Sequence, residues 1–401
     1  MSGPCLLSFV THGYAFNCFD LASTFMRISD KHQSQYAKVS HFNCTHLRRR
    51  AFYALPQVQW QMLAAPPFNF LETLDKVDEA IDANADLARA IARTGLQSFM
   101  DDQLLPGQES VLPRQWQGIA KHPDVDKARS TLRQFYRDWS AEGAAERKAC
   151  YGPVMRVLSE ERSRRDGRPL SVLVPGAGLG RLVFELALDG FQVEGNEISY
   201  HQLLASAYIL NSCERAGKHT IYPWAHSFSN HRTRANHLRS YAIPDIHCAT
   251  ELGTRQGTGQ MSMCAADFLC LYSDEDHKDE YDAVASVFFL DTAPNLIRYL
   301  ETVFHCLRPG GMLINIGPLL WHFENNAPGA GSEGEAETSG IADPGSFELS
   351  DDEVLRLVET IGFRIESYET GVNAPYIHDA ESMLQNVYSA SFWVARKPGA
   401  S

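Results

Sequence analysis

The run Leu173-Val174-Pro175-Gly176-Ala177-Gly178-Leu179-Gly180-Arg181-Leu182 ends an apolar stretch in a glycine-rich turn, and Asn196-Glu197 closes the next apolar stretch. Glycines at a strand-to-helix turn let the chain bend sharply and let a ligand approach bare backbone. An acid at the tip of the second strand can grip a ribose. Spacing narrows the ligand. A dinucleotide fingerprint needs a third glycine where Arg181 stands, so G-x-G-x-x-G fails, whereas the tighter G-x-G-x-G of S-adenosylmethionine enzymes fits. That cofactor presents an adenine, a ribose diol, a sulfonium and an amino-acid end. Gly176 and Gly178 are expected beneath the methionine portion, and Glu197 on the two ribose hydroxyls through charge-assisted hydrogen bonds. The plainer alternative for Glu197 is a helix N-cap. Methyl transfer, not hydride transfer, is the chemistry predicted.

Further candidates follow the same strand-tip logic. Asp267-Phe268 ends a short apolar stretch where a third strand tip would fall; there the Asp can accept from an adenine amino group while the next backbone N–H faces a ring nitrogen. Asp291-Thr292 ends the run Ala285-Ser286-Val287-Phe288-Phe289-Leu290, at the carboxyl edge where open α/β sheets bind ligands. The Asn/Asp-Pro-Pro-aromatic motif that grips a planar exocyclic amino group is absent, which argues against that kind of nucleophile. His322 follows another strand end, within Gly317-Pro318-Leu319-Leu320-Trp321-His322-Phe323-Glu324; a lone histidine is more often structural or solvated. The cysteines show no C-x-x-C pairing, so no metal site is expected.

These residues need a scaffold. Residues 1–160 read as a helical region: 70–91 places Leu71, Leu74, Val77, Ile81 and Leu87 near a 3.6-residue period, and 124–158 is a second helical stretch. In the latter, Gln134 and Arg137 share a face at i, i+3, and taken alone they read as a solvated polar face. From residue 161 to 401 strands and helices alternate: strands at 171–174, 191–197, 281–290 and 312–316, helices from 181, at 203–211 and 295–306. A helix at 351–361 and strands at 363–368 and 390–395 close the chain as an antiparallel pair. The order predicts an α/β, doubly wound, mostly parallel seven-stranded sheet with right-handed crossovers. Residues 223–259 are long, polar and irregular, the pattern of a lid, a binding loop or disorder. The acidic, low-complexity stretch at 325–346 reads as a disordered insertion, and order in residues 1–40 is left open.

Composition sets limits. With 401 residues, 44% of them hydrophobic, the chain can bury a large core. A formal charge of -13 opposes nucleic-acid binding, and Arg48-Arg49-Arg50 and Arg162-Ser163-Arg164-Arg165, the two dense basic clusters, read as solvated helix ends or loops. No apolar run approaches the length of a membrane span, so no membrane partner is expected. Scattered thiols suggest a reducing compartment, the cytosol and also the nucleus. A homodimer is compatible with the chain, but no motif encodes it.

Taken together, the glycine turn, Gly195-Asn196-Glu197, Ile221-Tyr222-Pro223-Trp224, Phe228-Ser229-Asn230, Phe289-Leu290-Asp291-Thr292-Ala293 and Asn315-Ile316-Gly317-Pro318-Leu319-Leu320-Trp321-His322-Phe323-Glu324-Asn325 resemble the carnosine N-methyltransferase family. The resemblance covers residues 60–398. It implies a class I enzyme that moves a methyl group from S-adenosylmethionine to the imidazole of a histidine-containing dipeptide, giving anserine from carnosine. By the same resemblance, cofactor contacts fall on Gln134, Arg137, Gly176, Glu197, Asp267 and Phe268. Val287, where the family often has Cys, would contribute a backbone contact. Dipeptide contacts fall on Asp291, His322, Tyr376 and Tyr388, with Asp291 or His322 accepting the second ring N–H. Two other readings stay open: a methyltransferase acting on histidine within a protein or peptide, and a catalytically silent cofactor-binding subunit.

Overall fold

A computed structural model describes residues 9–10, 35–101, 122–165, 168–325 and 345–399. Most of residues 1–40 and of the acidic stretch at 325–346 lie outside these. The chain begins with helices: α1 (Gln35–His41), a π turn at Phe42–His46, α2 (Leu47–Tyr53), α3 (Gln57–Ala64), α4 (Phe70–Asp101), α5 (His122–Trp139) and α6 (Ala144–Arg164). In α4 the periodic positions Leu74, Val77, Ile81 and Leu87 are all buried, as an amphipathic surface helix requires. The expected single helix at 124–158 is instead two. Ser140 Oγ donates to Tyr136 O at 2.6 Å and accepts from Gly143 N–H at 3.0 Å, and a Cβ on Gly143 would stand 2.2 Å from Arg137 O. Only glycine fits there, so the chain turns.

After α6 come β2 (Ser171–Pro175), α7 (Arg181–Leu188), β3 (Gln192–Glu197), α8 (Tyr200–Ala207), β4 (His219–Ile221), α9 (Arg234–His237), β5 (Tyr241–Ile243) and α10 (Cys248–Thr254). They are followed by β6 (Met261–Ala265), α11 (Phe268–Tyr272), β7 (Tyr281–Val287), α12 (Leu296–Cys306), β8 (Leu307–Gly317), α13 (Asp351–Ile361), β9 (Arg364–Pro375) and β10 (Val387–Arg396). With the two-residue β1 (Phe9–Val10), the main sheet runs β1-β6-β3-β2-β7-β8-β10-β9. Seven of these strands form the expected α/β sheet, and β1 adds an eighth at its edge, parallel to β6. Pairings from β6 to β8 are parallel, and β10 is antiparallel to both β8 and β9. The six residues from Tyr281 to Ser286 in β7 are all buried, as expected of a central strand covered on both faces.

Strand order reverses between β2 and β7, which opens a crevice at their carboxyl ends. The glycine turn and Phe288 stand at that switch point.

Residues 223–259 are folded, not a loose lid. β4 pairs with β5, Trp224 Nε1–H donates to Tyr241 Oη at 3.3 Å, and the fully buried His237 donates to Ala225 O at 3.1 Å. Polar residues here serve internal hydrogen bonds, which sequence polarity alone does not distinguish from solvation. The basic clusters are likewise engaged. Arg49 pairs with Asp75 and Asp78 at 2.6 and 2.7 Å, and Arg165 bridges Glu161 and the fully buried Asp282 at 2.7 and 2.8 Å. Among the described residues no helix is long and apolar enough to cross a membrane.

Candidate active site

Three glycines of the turn after β2 are left-handed: Gly176, Gly178 and Gly180, with φ of 64°, 58° and 74°. A Cβ on Gly176 would lie 2.8 Å from the Phe289 ring, so side chains are excluded by backbone conformation and by space. The turn is fixed from three directions. Ala177 N–H donates to Asn196 O at 2.9 Å, the Trp139 indole N–H to Leu179 O at 3.1 Å, and Gly178 N–H to Glu197 Oε2 at 2.9 Å. The other Glu197 oxygen accepts from Ser199 N–H at 2.7 Å. The buried acid thus braces the turn and the start of α8, while a carboxylate keeps lone pairs for a diol. Burial pushes its carboxyl up, opposed by the N–H groups of Ser199, Gly178 and Ile198.

On the far side of the turn α5 presents Gln134 and Arg137. The solvated-face reading is overturned here: Gln134 is 7% exposed, and its Oε1 is buried without a hydrogen-bond partner. An orphaned buried acceptor is rare enough to imply a missing donor, and an ammonium group would supply one. The Arg137 guanidinium is gripped by Asp138 at 2.7 and 2.9 Å, and Asp138 also accepts from Tyr151 Oη at 3.0 Å. The neighbouring Asp138 carboxylate raises the guanidinium's pKa well above its ordinary value against the cost of burial, so the cation is permanent. Arg137, Gly176, Ala177, Val287, Phe288 and Tyr376 line one cleft that opens to solvent. A fixed cation, an unpaired acceptor, a bare-backbone turn and a strand-tip acid fit the amino-acid end and ribose of S-adenosylmethionine.

Asp267 caps α11, accepting from Cys270 N–H at 3.0 Å, and so one of its oxygens serves the fold. The Phe268 ring is buried against Phe289 and Tyr299, with centroids 5.4 and 5.3 Å away, leaving only its backbone for a ligand.

The substrate candidates fall in two pairs, Asp291 with His322 after β7 and Tyr376 with Tyr388 around Phe288. Asp291 lies in a single helical turn, Leu290–Thr292, and is 5% exposed. Its Oδ2 accepts from Leu320 N–H at 3.0 Å, and its carbonyl accepts from His322 N–H at 3.1 Å, so the segment after β8 is folded onto it. Burial pushes the Asp291 carboxyl up, against the pull of the Leu320 N–H and of His322. The His322 imidazole itself is exposed. Tyr376 and Tyr388 flank Phe288 at 5.2 and 6.0 Å and lie 6.3 Å from each other, forming an aromatic wall. Arg137 sits 5.2 Å from the Tyr376 ring centre, so the cationic and aromatic halves touch.

Comparison with known proteins shows the family of the chain. A family model described as carnosine N-methyltransferase matches residues 114–399. The Mus musculus protein named carnosine N-methyltransferase is 35% identical over 354 residues, covering 87% of this chain and 80% of that protein. The chain belongs to the carnosine N-methyltransferase family. Its Schizosaccharomyces pombe member is 37% identical over 334 residues, 82% of this chain and 83% of that protein. A solved structure, the CurJ carbon methyltransferase, overlays with a TM-score of 0.40 at 13% identity across 86% of this chain and 72% of that one, too distant to add to the topology itself.

As a member of this family the chain is a methyltransferase, and its site contains residues that sequence reasoning passed over. Phe288 adopts a left-handed φ of 54°, a strained state for an aromatic residue that tends to mark functional sites. The adjacent Phe-Phe pair at the end of an apolar strand was its only signal. Asp138 and Tyr151, which lock Arg137, lie on two helices read as one, and no spacing rule joins them. Arg181, noted only as a missing glycine, is 7% exposed, pairs with Asp245 at 2.6 Å and faces the Trp139 ring at 4.9 Å.

Proposed function

We propose that this chain transfers a methyl group from S-adenosylmethionine to an imidazole nitrogen of carnosine, or of a related histidine-containing dipeptide, giving anserine. Gln134, Arg137, Gly176, Gly178 and Glu197 would hold the cofactor, with Val287, Asp267 and Phe268 at the neighbouring strand tips. When bound, it supplies an electrophilic methyl group.

The observation that carries the substrate half is Asp291: a buried carboxylate, one oxygen pinned by Leu320 N–H, three residues after Phe288, whose ring Tyr376 and Tyr388 flank at the sheet's switch point. An imidazole must attack through its unprotonated nitrogen, and with a pKa near ~6.5 roughly three quarters of the rings are already neutral at pH 7. No strong base is needed. What the protein supplies is position, worth up to ~7–11 kcal/mol in favourable cases, and an acceptor for the other ring N–H, whose proton becomes acidic once the ring is methylated. Asp291 is that acceptor in our reading. His322 is exposed, with its backbone N–H tied to the Asp291 carbonyl, while Tyr376 and Tyr388 orient the ring.

Mass spectrometry of reactions containing S-adenosylmethionine and carnosine, free histidine or a histidine-containing peptide tests this. One added methyl on carnosine supports the proposal. Methylation of the peptide alone transfers the activity to a macromolecular substrate, and cofactor binding without any methylated imidazole leaves a silent subunit.

A further inference from the structure

Glu146 lies in the first turn of α6, is 5% exposed, and aims its carboxylate away from its own helix. One oxygen accepts from Ile377 N–H at 2.7 Å and the other from His378 N–H at 3.0 Å. Ile377 has a left-handed φ of 49°, a conformation a β-branched residue rarely adopts, and it turns two successive N–H groups toward one anion. One residue earlier in the chain is Tyr376, whose ring faces both Arg137 and Phe288 at 5.2 Å. Tyr136 Oη adds a bond from α5 to His378 O at 3.3 Å. At its far end the same hairpin is held by Met383 N–H to Asn230 O at 2.8 Å. Glu146 therefore supplies the charged anchor beside the aromatic wall, next to the neutral bonds from Tyr376 N–H to Asn386 O at 3.1 Å and from the Cys150 thiol to Pro375 O at 3.6 Å.

We infer that Glu146 is a positioning residue for the methyl acceptor: it clamps the left-handed turn at Ile377 so that Tyr376 is held between the cation of the cofactor cleft and the Phe288 ring. This rests on the reading of Tyr376 as a substrate contact. Loosening the clamp moves the aromatic wall, which also borders the cofactor cleft, but leaves Asp138, the glycine turn and Glu197 in place, so acceptor binding suffers far more than cofactor binding.

The test uses Glu146→Gln and Glu146→Asp in the full chain, with steady-state kinetics on carnosine, calorimetric cofactor binding, and hydrogen exchange at residues 377 and 378. The amide introduced by Glu146→Gln would turn a donor toward one of two N–H groups. The expected result is a fall in kcat/KM of tenfold or more, carried mainly by KM, with the cofactor dissociation constant within twofold. Faster exchange at 377–378 should accompany it, and the aspartate should recover at least threefold. Unchanged KM in Glu146→Gln, or parallel loss of cofactor and acceptor binding in the aspartate if the glutamine fails to fold, overturns the inference. Should the wild-type protein methylate no carnosine, the proposed function fails on its own. Exchange in the cofactor-bound protein then decides the clamp: faster in the variants supports it, unchanged refutes it.

Discussion

Replacing Asp291 by Asn removes a charge while preserving shape, and the structure separates its two consequences. The Asn carbonyl can keep the 3.0 Å bond from Leu320 N–H, which leaves an NH₂ donor where the substrate's ring N–H needs an acceptor. Loss of a hydrogen bond to a charged group costs about 1.5–3 kcal/mol. At about 1.36 kcal/mol per tenfold, kcat/KM for carnosine should drop roughly 10- to 200-fold, with little change in cofactor affinity. Stability should move the other way. Burial raises the Asp291 carboxyl above its unfolded value, so between the two pKa values the native state binds more protons than the unfolded state. Stability contributed at this site therefore falls as pH rises through that window, and the ionised acid is a net burden at neutral pH. Asn should thus leave Tm unchanged or raise it at pH 7. The acid limb of kcat/KM should also change, from a slope approaching two in the wild type, where the imidazole and Asp291 both protonate, to one in the variant. A variant with full kcat/KM would refute the acceptor role, and one that loses activity together with Tm would show that Asp291 serves the fold.

Arg137→Lys forfeits the paired bonds to Asp138 and the contact with Tyr376, and should weaken cofactor binding by about tenfold or more, measured by calorimetry; unchanged affinity would exclude Arg137 as the cofactor's cation. Gly176→Ala forces a side chain into a left-handed residue 2.8 Å from the Phe289 ring, and thermal denaturation should show a loss of at least ~1–2 kcal/mol. Asp245→Ala strips the shared carboxylate from Arg147 and Arg181, which are 5% and 7% exposed. Glu185 still faces both, at 2.8 Å from Arg181 and 3.7 Å from Arg147, so losing the charge-assisted bonds to Asp245 should cost about 1.5–3 kcal/mol in urea unfolding, and a loss below ~1 kcal/mol would mean that water replaces the carboxylate.

Local chemistry was the legible part of the sequence. The glycine turn announced itself because backbone geometry tolerates almost no other residue at three left-handed positions, and the β-α order followed from hydrophobic period alone. The place of Glu197 beside the turn was readable because it depends on a strand tip two elements away in a fixed topology. Gln134 and Arg137 were not, since a buried polar face and a solvated one have the same residue types. Only the tertiary fact that α5 packs against the turn separates them. The same holds for residues 223–259, whose histidines and asparagines look like solvent-facing groups until their internal acceptors are known.

That packing also explains why the N-terminal helices cannot be treated as an accessory to the sheet. Trp139, at the end of α5, donates directly to the glycine turn. Arg181, the first residue of α7, reaches back to Asp138 O at 3.1 Å. Asp245 ties both Arg181 and the α6 residue Arg147 into one buried ionic group. The cofactor's proposed cation therefore stands on a helix whose position is set by the very turn it faces. Moving α5 by an ångström would displace Arg137, the indole brace and, through Tyr136, the hairpin bearing Tyr376. The proposed cofactor and acceptor subsites share one mechanical support, and a perturbation of α5 far from either should register in both binding constants together.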